Sequence, residues 1–197
     1  MKRIALVLAV LLAAAPALAA PATYNLDSRH TQTAFAVKHL VIATVRGEFG
    51  KTEGKVVIDD ADLTKSSVEA TIDVASISTR EPDRDKHLKT GDFLDLAKYP
   101  TITFKSTRVE VAGAGQLKVT GDLTIRGTTR SVVLEVTGPT AEVKDPWGMQ
   151  RRGIAATTKI NRRDFGVNFG AIDAAPVVGD EVSIQIDAEL VKVPPAK

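Results

Sequence analysis

The three histidines are the residues of this chain best suited to proton transfer near neutral pH or to metal binding, because cysteine is absent. His30, His39 and His87 are not spaced as His-x-His or His-x-x-x-His, so a metal site would need all three brought together by the fold. The lack of cysteine excludes a disulfide scaffold, a thiolate metal site and a cysteine nucleophile. We therefore predict no metal site.

His39 has the most informative surroundings of the three. Phe35, Val37 and His39 occupy alternate positions, so on a strand the imidazole points where the apolar side chains point. A buried imidazole needs hydrogen-bond partners. His39 is therefore either a satisfied structural residue or a polar contact for the head group of a ligand. An enzyme that uses His39 and a carboxylate on a lipid or quinone-like substrate is the alternative from another functional class.

Other signatures of chemistry are weak. The triplet Asp-Phe-Gly at residues 164–166 stands without a glycine-rich phosphate loop or a His-Arg-Asp catalytic loop, and there is no Gly-x-Ser-x-Gly elbow. The arginines are scattered between acidic residues, and the chain has only nine aromatic residues (six Phe, two Tyr and one Trp). A nucleic-acid partner, which would need clustered basic residues and interleaved aromatic side chains, is not expected.

The first 19 residues have the three parts of a secretory signal peptide. Lys2 and Arg3 precede an apolar run at residues 4–15, and Ala17 and Ala19 fit a small-x-small cleavage site. The run is too short to span a bilayer, so no membrane span is expected. We predict that residues 1–19 are removed and that residues 20–197 form one domain located in the periplasm. Cleavage would leave 24 basic against 24 acidic residues.

The rest of the chain shows the period-two alternation of antiparallel strands with one dry face. About eight or nine strands are predicted from ten segments, of which the third and fourth could be one bent strand. The segments lie near residues 23–28, 33–40, 45–53, 55–59, 68–74, 101–111, 117–126, 130–138, 152–161 and 181–192. Such a sheet must close on itself or pair with a second sheet.

Three irregular features interrupt this pattern. Residues 81–90 read as a short helix of about two turns, with Pro82 in the first turn and Gly91 able to stop it. The apolar residues that follow could pack down as a lid. A change of phase in the strand from Thr101 predicts a bulge near Ser106. Turn signals at residues 126–128 and 113–115 predict hairpins.

The interior of the predicted sheet is poor in large side chains. Ala70, Gly121, Ala156 and Ala188 fall on the apolar phase of their strands. An eight-stranded barrel is just wide enough to be filled by side chains or to hold one small ligand. Small inward residues are compatible with a lumen for an apolar chain, and equally with a tightly packed core of small residues.

Several segments, in this order, resemble the YceI-like family over about residues 24–190. They are DSRH (27–30), FAVKHL (35–40), VRGEF (45–49), SIST (76–79), RDKHL (84–88), DFLD (92–95), KYPTITFKS (98–106), GDLTIRG (121–127) and INRRDFG (160–166). The resemblance implies an all-β fold, an antiparallel eight-stranded lipocalin-like barrel with one short helix beside the barrel mouth. It also implies a lumen for a polyisoprenoid, a quinone or a fatty-acid derivative, and it carries over no catalytic residue.

The sequence therefore predicts a periplasmic carrier that holds a long apolar lipid, a polyisoprenoid or an isoprenoid quinone, and that needs no other cofactor. The expected wall residues are Phe35, Val37, Phe49, Ile72, Phe104, Leu123, Ile125, Ile160 and Ile186, with Leu88 and Phe93 near the mouth. His39, Arg80 and Arg84 are the expected head-group contacts. A stress-protective structural envelope protein with a filled core is a third alternative, and the chain could act as a monomer or a homodimer.

Overall fold

A computed structural model describes residues 20–170 and 177–194, so the predicted signal peptide at residues 1–19 lies outside the described residues. The described chain contains twelve strands, one α-helix and three short 3-10 helices. The strands are β1 (Ala22–Leu26), β2 (Gln32–His39), β3 (Ala43–Phe49), β4 (Thr52–Ile58), β5 (Ser67–Asp73), β6 (Ile77–Ser78), β7 (Thr101–Gly113), β8 (Gln116–Ile125), β9 (Thr128–Thr137), β10 (Val143–Lys144), β11 (Gln150–Asn161) and β12 (Val178–Lys192). The α-helix is α1 (Pro82–Leu88), and the 3-10 helices are Leu63–Lys65, Val74–Ser76 and Arg162–Phe165.

Eight of these strands form a closed antiparallel barrel, as predicted. The ring runs β11-β9-β8-β7-β5-β4-β1-β12, and pairing between β12 and β11 closes it. Closure lets each amphipathic strand turn its apolar face inward and leaves no open edge within the ring.

The long strand β12 pairs with β11 along one edge and with two strands, β1 and β2, along the other edge. Its C-terminal end pairs with β1, and its N-terminal part pairs with β2 from Val178 to Asp187. The strands β2, β3 and β6 therefore extend the sheet beside one half of the barrel, while β10 adds a short hairpin to β11.

The third and fourth predicted segments are two separate strands, not one bent strand. β3 pairs with β2 and β6, whereas β4 pairs with β1 and β5. The break falls at Gly50 and Lys51 and not at Gly54, which lies inside β4. A Cβ atom on Gly54 would clash with the carbonyl oxygen of Glu69, so this glycine permits close approach of β5 and does not mark a turn.

The predicted turns and the predicted bulge are confirmed. Arg126 and Gly127 form a two-residue turn between β8 and β9 with φ values of 49° and 73°, as a type I′ hairpin requires. The register between β7 and β8 shifts between Ser106 and Arg108. The Ser106 hydroxyl accepts a hydrogen bond from the Val68 amide at 2.9 Å, which fixes the bulge against β5.

The predicted helix is also present, and it ends at Leu88. Glu81 precedes it and accepts hydrogen bonds from the amides of Asp83 and Arg84, which satisfies two free donors of the first turn. The segment after the helix turns back on the barrel, and Phe93 is buried. These contacts place α1 and the following loop over one end of the barrel.

Candidate ligand-binding lumen

The barrel encloses a cavity of about 270 Å³. The wall is formed almost entirely by aliphatic and aromatic side chains from the inward faces of the strands. Eleven of the residues predicted from sequence lie on this wall: Phe35, Val37, Phe49, Ile72, Leu88, Phe93, Phe104, Leu123, Ile125, Ile160 and Ile186. The fold thus brings them together around one apolar space, and their contact with a ligand stays a prediction.

Small residues make room for this space. Ala70, Ala156 and Ala188 lie on the cavity wall. Gly121 acts differently, because a Cβ atom there would clash with Cζ of Phe104. The ring of Phe104 occupies the space that a side chain at Gly121 would take. The three alanines, in contrast, leave space in the cavity open.

A few hydroxyl groups interrupt the apolar wall. The hydroxyls of Thr33 and Thr52 are 3.0 Å apart and bond to each other. Thr31, on the same wall and 8% exposed, has a hydroxyl with no hydrogen-bond partner in the described part of the chain. A buried hydroxyl without a partner is destabilising. The Thr31 oxygen is itself covered by its neighbours, so a polar group in the lumen would reach it only after a side chain moves.

Arg162 is the charged residue on the wall among the described residues. Its guanidinium donates hydrogen bonds to the carbonyls of Val167, Val178 and Gly179 at 2.6–2.9 Å, and it lies 3.2 Å from Asp180. Burial lowers the pKa of Arg162. The side chain is therefore committed to holding the chain segment after β11 against the start of β12.

One end of the barrel is sealed. Tyr24 and Leu190 are completely buried there. The Tyr24 hydroxyl donates to Glu142 at 2.7 Å, and the Arg152 guanidinium lies 5.7 Å from the centre of the Tyr24 ring. Burial and the bond to Glu142 raise the pKa of Tyr24 to about 12, so this hydroxyl keeps its proton at physiological pH. We call this the closed end.

The opposite end is covered by an aromatic cluster from α1 and from two loops. The ring centres of His87, Phe93 and Phe169 lie 4.8–5.0 Å apart. Arg126 ties the covering segments together, because its guanidinium donates to the carbonyls of Gly91, Phe93 and Gly166 at 2.6–3.1 Å. This end depends on loop contacts and not on strand pairing, and we call it the mouth.

The three predicted head-group residues do not lie on the cavity wall. His39 is half-buried at the end of β2, beyond the last wall residue of that strand. Arg80 is exposed, and the Arg84 guanidinium donates to the hydroxyl and carbonyl of Thr79. A head-group role for these three residues stays a prediction.

Asp27, His30 and Glu189 place three metal-ligand atoms within 4.8 Å of one another on the outside of the barrel. The Arg151 guanidinium already bonds both carboxylates, at 2.9 Å from Asp27. Hydrogen bonds from His30 and Arg151 hold the pKa of Asp27 well below its usual range. The positive charge of Arg151 between these ligand atoms would repel a metal cation, so this cluster is an ion-pair network.

Thr31, Arg162 and Phe169 were not singled out by the sequence reasoning. A signal existed for Thr31, because Thr31 and Thr33 continue the odd-numbered phase of Phe35 and Val37. Arg162 and Phe169 gave no such signal, since they lie beyond the last residue of a strand. The part of the chain that the structure describes has no helix long and apolar enough to cross a membrane.

A closed antiparallel eight-stranded barrel around an apolar cavity defines the class of lipocalin-like barrels. The model of the YceI-like domain matches residues 24–190. The chain belongs to the YceI-like family, as its motifs predicted.

Known relatives agree with this assignment. A UPF0312 protein of Vibrio cholerae is 41% identical over 154 residues, covering 77% of this chain and 81% of the relative. Among solved structures, BcnA of Burkholderia cenocepacia has a TM-score of 0.73 at 27% identity and covers 83% of this chain and 98% of its own. The YceI protein of Campylobacter jejuni has a TM-score of 0.68 at 30% identity and covers 80% and 90%. A polyisoprenoid binding domain from Saccharophagus degradans, at 16% identity, has a TM-score of 0.64 and covers 86% and 98%.

Proposed function

We propose that this protein is a carrier that sequesters a long apolar lipid, a polyisoprenoid or an isoprenoid quinone, in the barrel lumen. The observation that carries the proposal is the cavity of about 270 Å³ with its nearly continuous aliphatic and aromatic wall. The fold shared with a polyisoprenoid binding domain of another organism supports the same ligand class. Each buried CH₂ group would contribute roughly 0.8 kcal/mol, less the cost of ordering the chain.

The proposed ligand carries an oxygen atom. An apolar wall binds hydrocarbon, but the unpartnered hydroxyl of Thr31 gains a hydrogen bond only from a ligand with a polar group. Alcohols, carbonyl compounds and quinones of isoprenoid chains meet this requirement. We infer that the polar group of the lipid lies beside Thr31 and that its hydrocarbon extends along the wall.

We propose no catalytic step for this lumen. The histidines with carboxylate partners are His30, which contacts Asp27, and His87, which lies 2.8 Å from Asp92. Neither His30 nor His87 lies on the cavity wall, and the same holds for His39. A purely structural role with a filled core is less well supported, because the core contains a cavity.

The site of action we propose is the periplasm, reached by secretion. The basic residues, apolar run and small-x-small site of residues 1–19 support it. Intact-mass measurement on exported protein should show an N-terminus at Ala20. A chain that still carries residues 1–19 would contradict the secreted carrier.

Native mass spectrometry of protein isolated from its own cell envelope tests the carrier function directly. We expect a non-covalent adduct with the mass of an isoprenoid lipid, released by organic solvent and identified in the extract. The same protein, once delipidated, should take up a fluorescent isoprenoid probe, and an unlabelled isoprenoid alcohol should displace it. Protein that carries no lipid and takes up no probe would refute the function.

A further inference from the structure

The turn between β2 and β3 exposes three consecutive aliphatic side chains, which we call the β2–β3 tip. Leu40, Val41 and Ile42 are 45%, 67% and 83% exposed. Scattered single apolar residues are normal on protein surfaces, but a contiguous exposed patch marks a site of interaction. Nothing in the barrel requires these side chains, because the tip lies beyond the last paired residues, His39 and Ala43.

The backbone of the tip is strained by the residues it carries. The Ile42 amide donates to the His39 carbonyl, and the two central residues, Leu40 and Val41, have φ values of 49° and 64°. Turns of this kind favour Asn-Gly, and a positive φ is unusual for a β-branched residue such as valine. Strained residues cluster at functional sites, so the strain supports a role for these side chains.

The tip lies at the mouth of the barrel. His39 pairs with Val178 at the start of β12, and the Leu40 amide donates to the Val177 carbonyl at 3.0 Å. The same end carries the Arg126 turn and Phe169, which is itself 40% exposed. The closed end with Tyr24 lies at the other end of β12.

The hairpin that carries the tip is positively charged. Lys38 and Arg46 flank the tip and are exposed. No aspartate or glutamate occurs between Gln32 and Gly47. Protruding aliphatic side chains flanked by basic residues match the two layers of an anionic bilayer surface, acyl chains beneath charged headgroups.

We propose that the β2–β3 tip docks the protein on an anionic lipid bilayer, with its aliphatic side chains inserted below the headgroups and the mouth of the barrel turned towards the membrane. A fluid acyl layer accepts a protruding wedge without a pocket of matching shape. This docking goes beyond the proposed lipid binding and is physically separate from it, because none of the three tip residues lines the lumen.

The experiment measures docking with two variants, each of which carries one environment-sensitive dye at a different end of the barrel. The chain has no cysteine, so Ile42→Cys and Val111→Cys each create one site for an environment-sensitive dye. Val111 is a matched control, because it is aliphatic, 58% exposed and at the end of β7 away from the mouth. Trp147, the single tryptophan, is 83% exposed in the β10–β11 hairpin at the same distant end.

With vesicles of phosphatidylethanolamine and phosphatidylglycerol, the dye at residue 42 should shift to the blue. The dye at residue 111 and the Trp147 emission should not change. Vesicles of phosphatidylcholine alone should bind more weakly, because Lys38 and Arg46 lose their anionic partners. All variants are compared with the same N-terminus, verified by intact mass, so that residues 1–19 cannot account for a difference.

The double variant L40N/V41G separates docking from folding. Asn-Gly suits the turn, so this variant should fold with an unchanged or higher melting temperature. Its vesicle affinity should fall at least tenfold, while uptake of the fluorescent isoprenoid in solution stays at the wild-type level. A wild-type protein that docks on vesicles but takes up no isoprenoid would instead count against the carrier function alone.

Several results would overturn docking by the tip. One is an L40N/V41G variant that binds vesicles as well as the wild type. A second is a shift at Trp147 or at residue 111 instead of residue 42. A third is a wild-type protein that does not bind vesicles but forms a dimer in sedimentation velocity, while L40N/V41G stays monomeric. This result would assign the tip to contact with a second copy of the chain.

Discussion

Thr31 is the residue through which we propose that the lumen recognises a polar group of its ligand. Its hydroxyl is buried on the cavity wall without a partner, whereas the neighbouring hydroxyls of Thr33 and Thr52 satisfy each other. A protein gains nothing in stability from such a group in the empty state. In the complex that we propose, an oxygen atom of the ligand would complete the hydrogen bond.

Replacing Thr31 with valine should therefore stabilise the empty protein and weaken binding of an oxygen-bearing lipid. We expect the free energy of unfolding to rise by about 1 kcal/mol, because an unpaired buried polar group is removed. Affinity for an isoprenoid alcohol should fall by roughly 3–10-fold, the worth of one hydrogen bond. Urea unfolding and probe displacement measure the two effects.

Two controls belong to this prediction. An isoprenoid hydrocarbon of the same length should bind Thr31→Val and wild type equally. Thr158→Val alters another wall threonine, whose hydroxyl already donates to the Val133 carbonyl at 2.8 Å, and it should not stabilise the protein. Equal loss of affinity for the alcohol and the hydrocarbon would show that Thr31 only shapes the cavity.

Asp27 should make the protein acid-sensitive. Hydrogen bonds from His30 and Arg151 depress the pKa of its carboxyl group in the folded state. A carboxyl group whose pKa is lower in the folded protein stabilises the fold at pH values above its unfolded pKa of about 3.9. This stability is lost as the pH falls from there through the folded pKa. The difference in free energy of unfolding between wild type and Asp27→Asn should be largest near neutral pH and narrow below about pH 4.

Urea unfolding at several pH values tests this coupling. Asp122→Asn, on the exposed face of β8, controls for the loss of one negative charge. A difference between wild type and Asp27→Asn that stays constant from neutral pH to about pH 2 would mean that the carboxylate contributes no proton-linked stability.

At the scale of elements, the two ends of the barrel differ in what closes them. The closed end combines strand pairing with the buried Tyr24 and Leu190. The mouth is covered by α1 and its following loop, which the Arg126 guanidinium connects to the segment after β11 through three backbone carbonyls. Loops held by a few polar contacts open at lower free energy than paired strands. Ligand exchange should therefore occur at the mouth.

Arg126→Asn should loosen the mouth without weakening the barrel. Asn-Gly is a preferred pair for the β8–β9 turn, so the hairpin is kept while the three carbonyls lose their donor. We expect faster release of a bound isoprenoid and faster proteolytic cleavage at residues 89–100, with little change in melting temperature. Stopped-flow displacement and limited proteolysis report these rates.

Arg130→Asn is the matched control, because Arg130 is exposed on β9 and its guanidinium bonds only to the adjacent Thr129 carbonyl among the described residues. Its release rate should equal that of the wild type. Unchanged release from Arg126→Asn would show that the ligand does not pass through the loops that Arg126 holds.

At the scale of the whole molecule, the barrel is a closed wall around unfilled space. Ala156 and Ala188 are 5% and 6% exposed and lie on the cavity wall, so a larger side chain at either position would extend into the lumen. In a packed core such a change costs typically 1–3 kcal/mol, because neighbours are forced from their rotamers. In an open cavity the ring gains contacts that the wall lacks.

Ala156→Phe and Ala188→Phe should fold with near-normal melting temperatures when empty and bind the apolar ligand far more weakly. Calorimetry and probe uptake give the two measurements. Ala155→Phe, one residue earlier on β11 and off the cavity wall, should leave uptake unchanged. Severe destabilisation of both wall variants would indicate a solid core and remove the physical basis of the carrier.

The sequence by itself determined the antiparallel strands and part of the cavity wall, and its resemblance to the YceI-like family implied the barrel. Period-two alternation assigns each strand residue to one face, so residues such as Val37, Ile125 and Ile186 could be placed inside before any pairing was known. Local signals were equally sufficient for the Arg126-Gly127 turn, the bulge beside Ser106 and the helix that begins at Pro82, because each depends on the chemistry of a few adjacent residues.

Only the tertiary structure decided which residues meet across the chain. The empty volume of the lumen depends on how eight inward faces pack, and alternation is the same for a filled and an open barrel. The clamp from Arg126 to Gly166 joins residues 40 positions apart, and the break between β3 and β4 follows from their different partners. The orphaned hydroxyl of Thr31 and the exposed tip at Ile42 are likewise properties of surroundings, which periodicity along one strand does not specify.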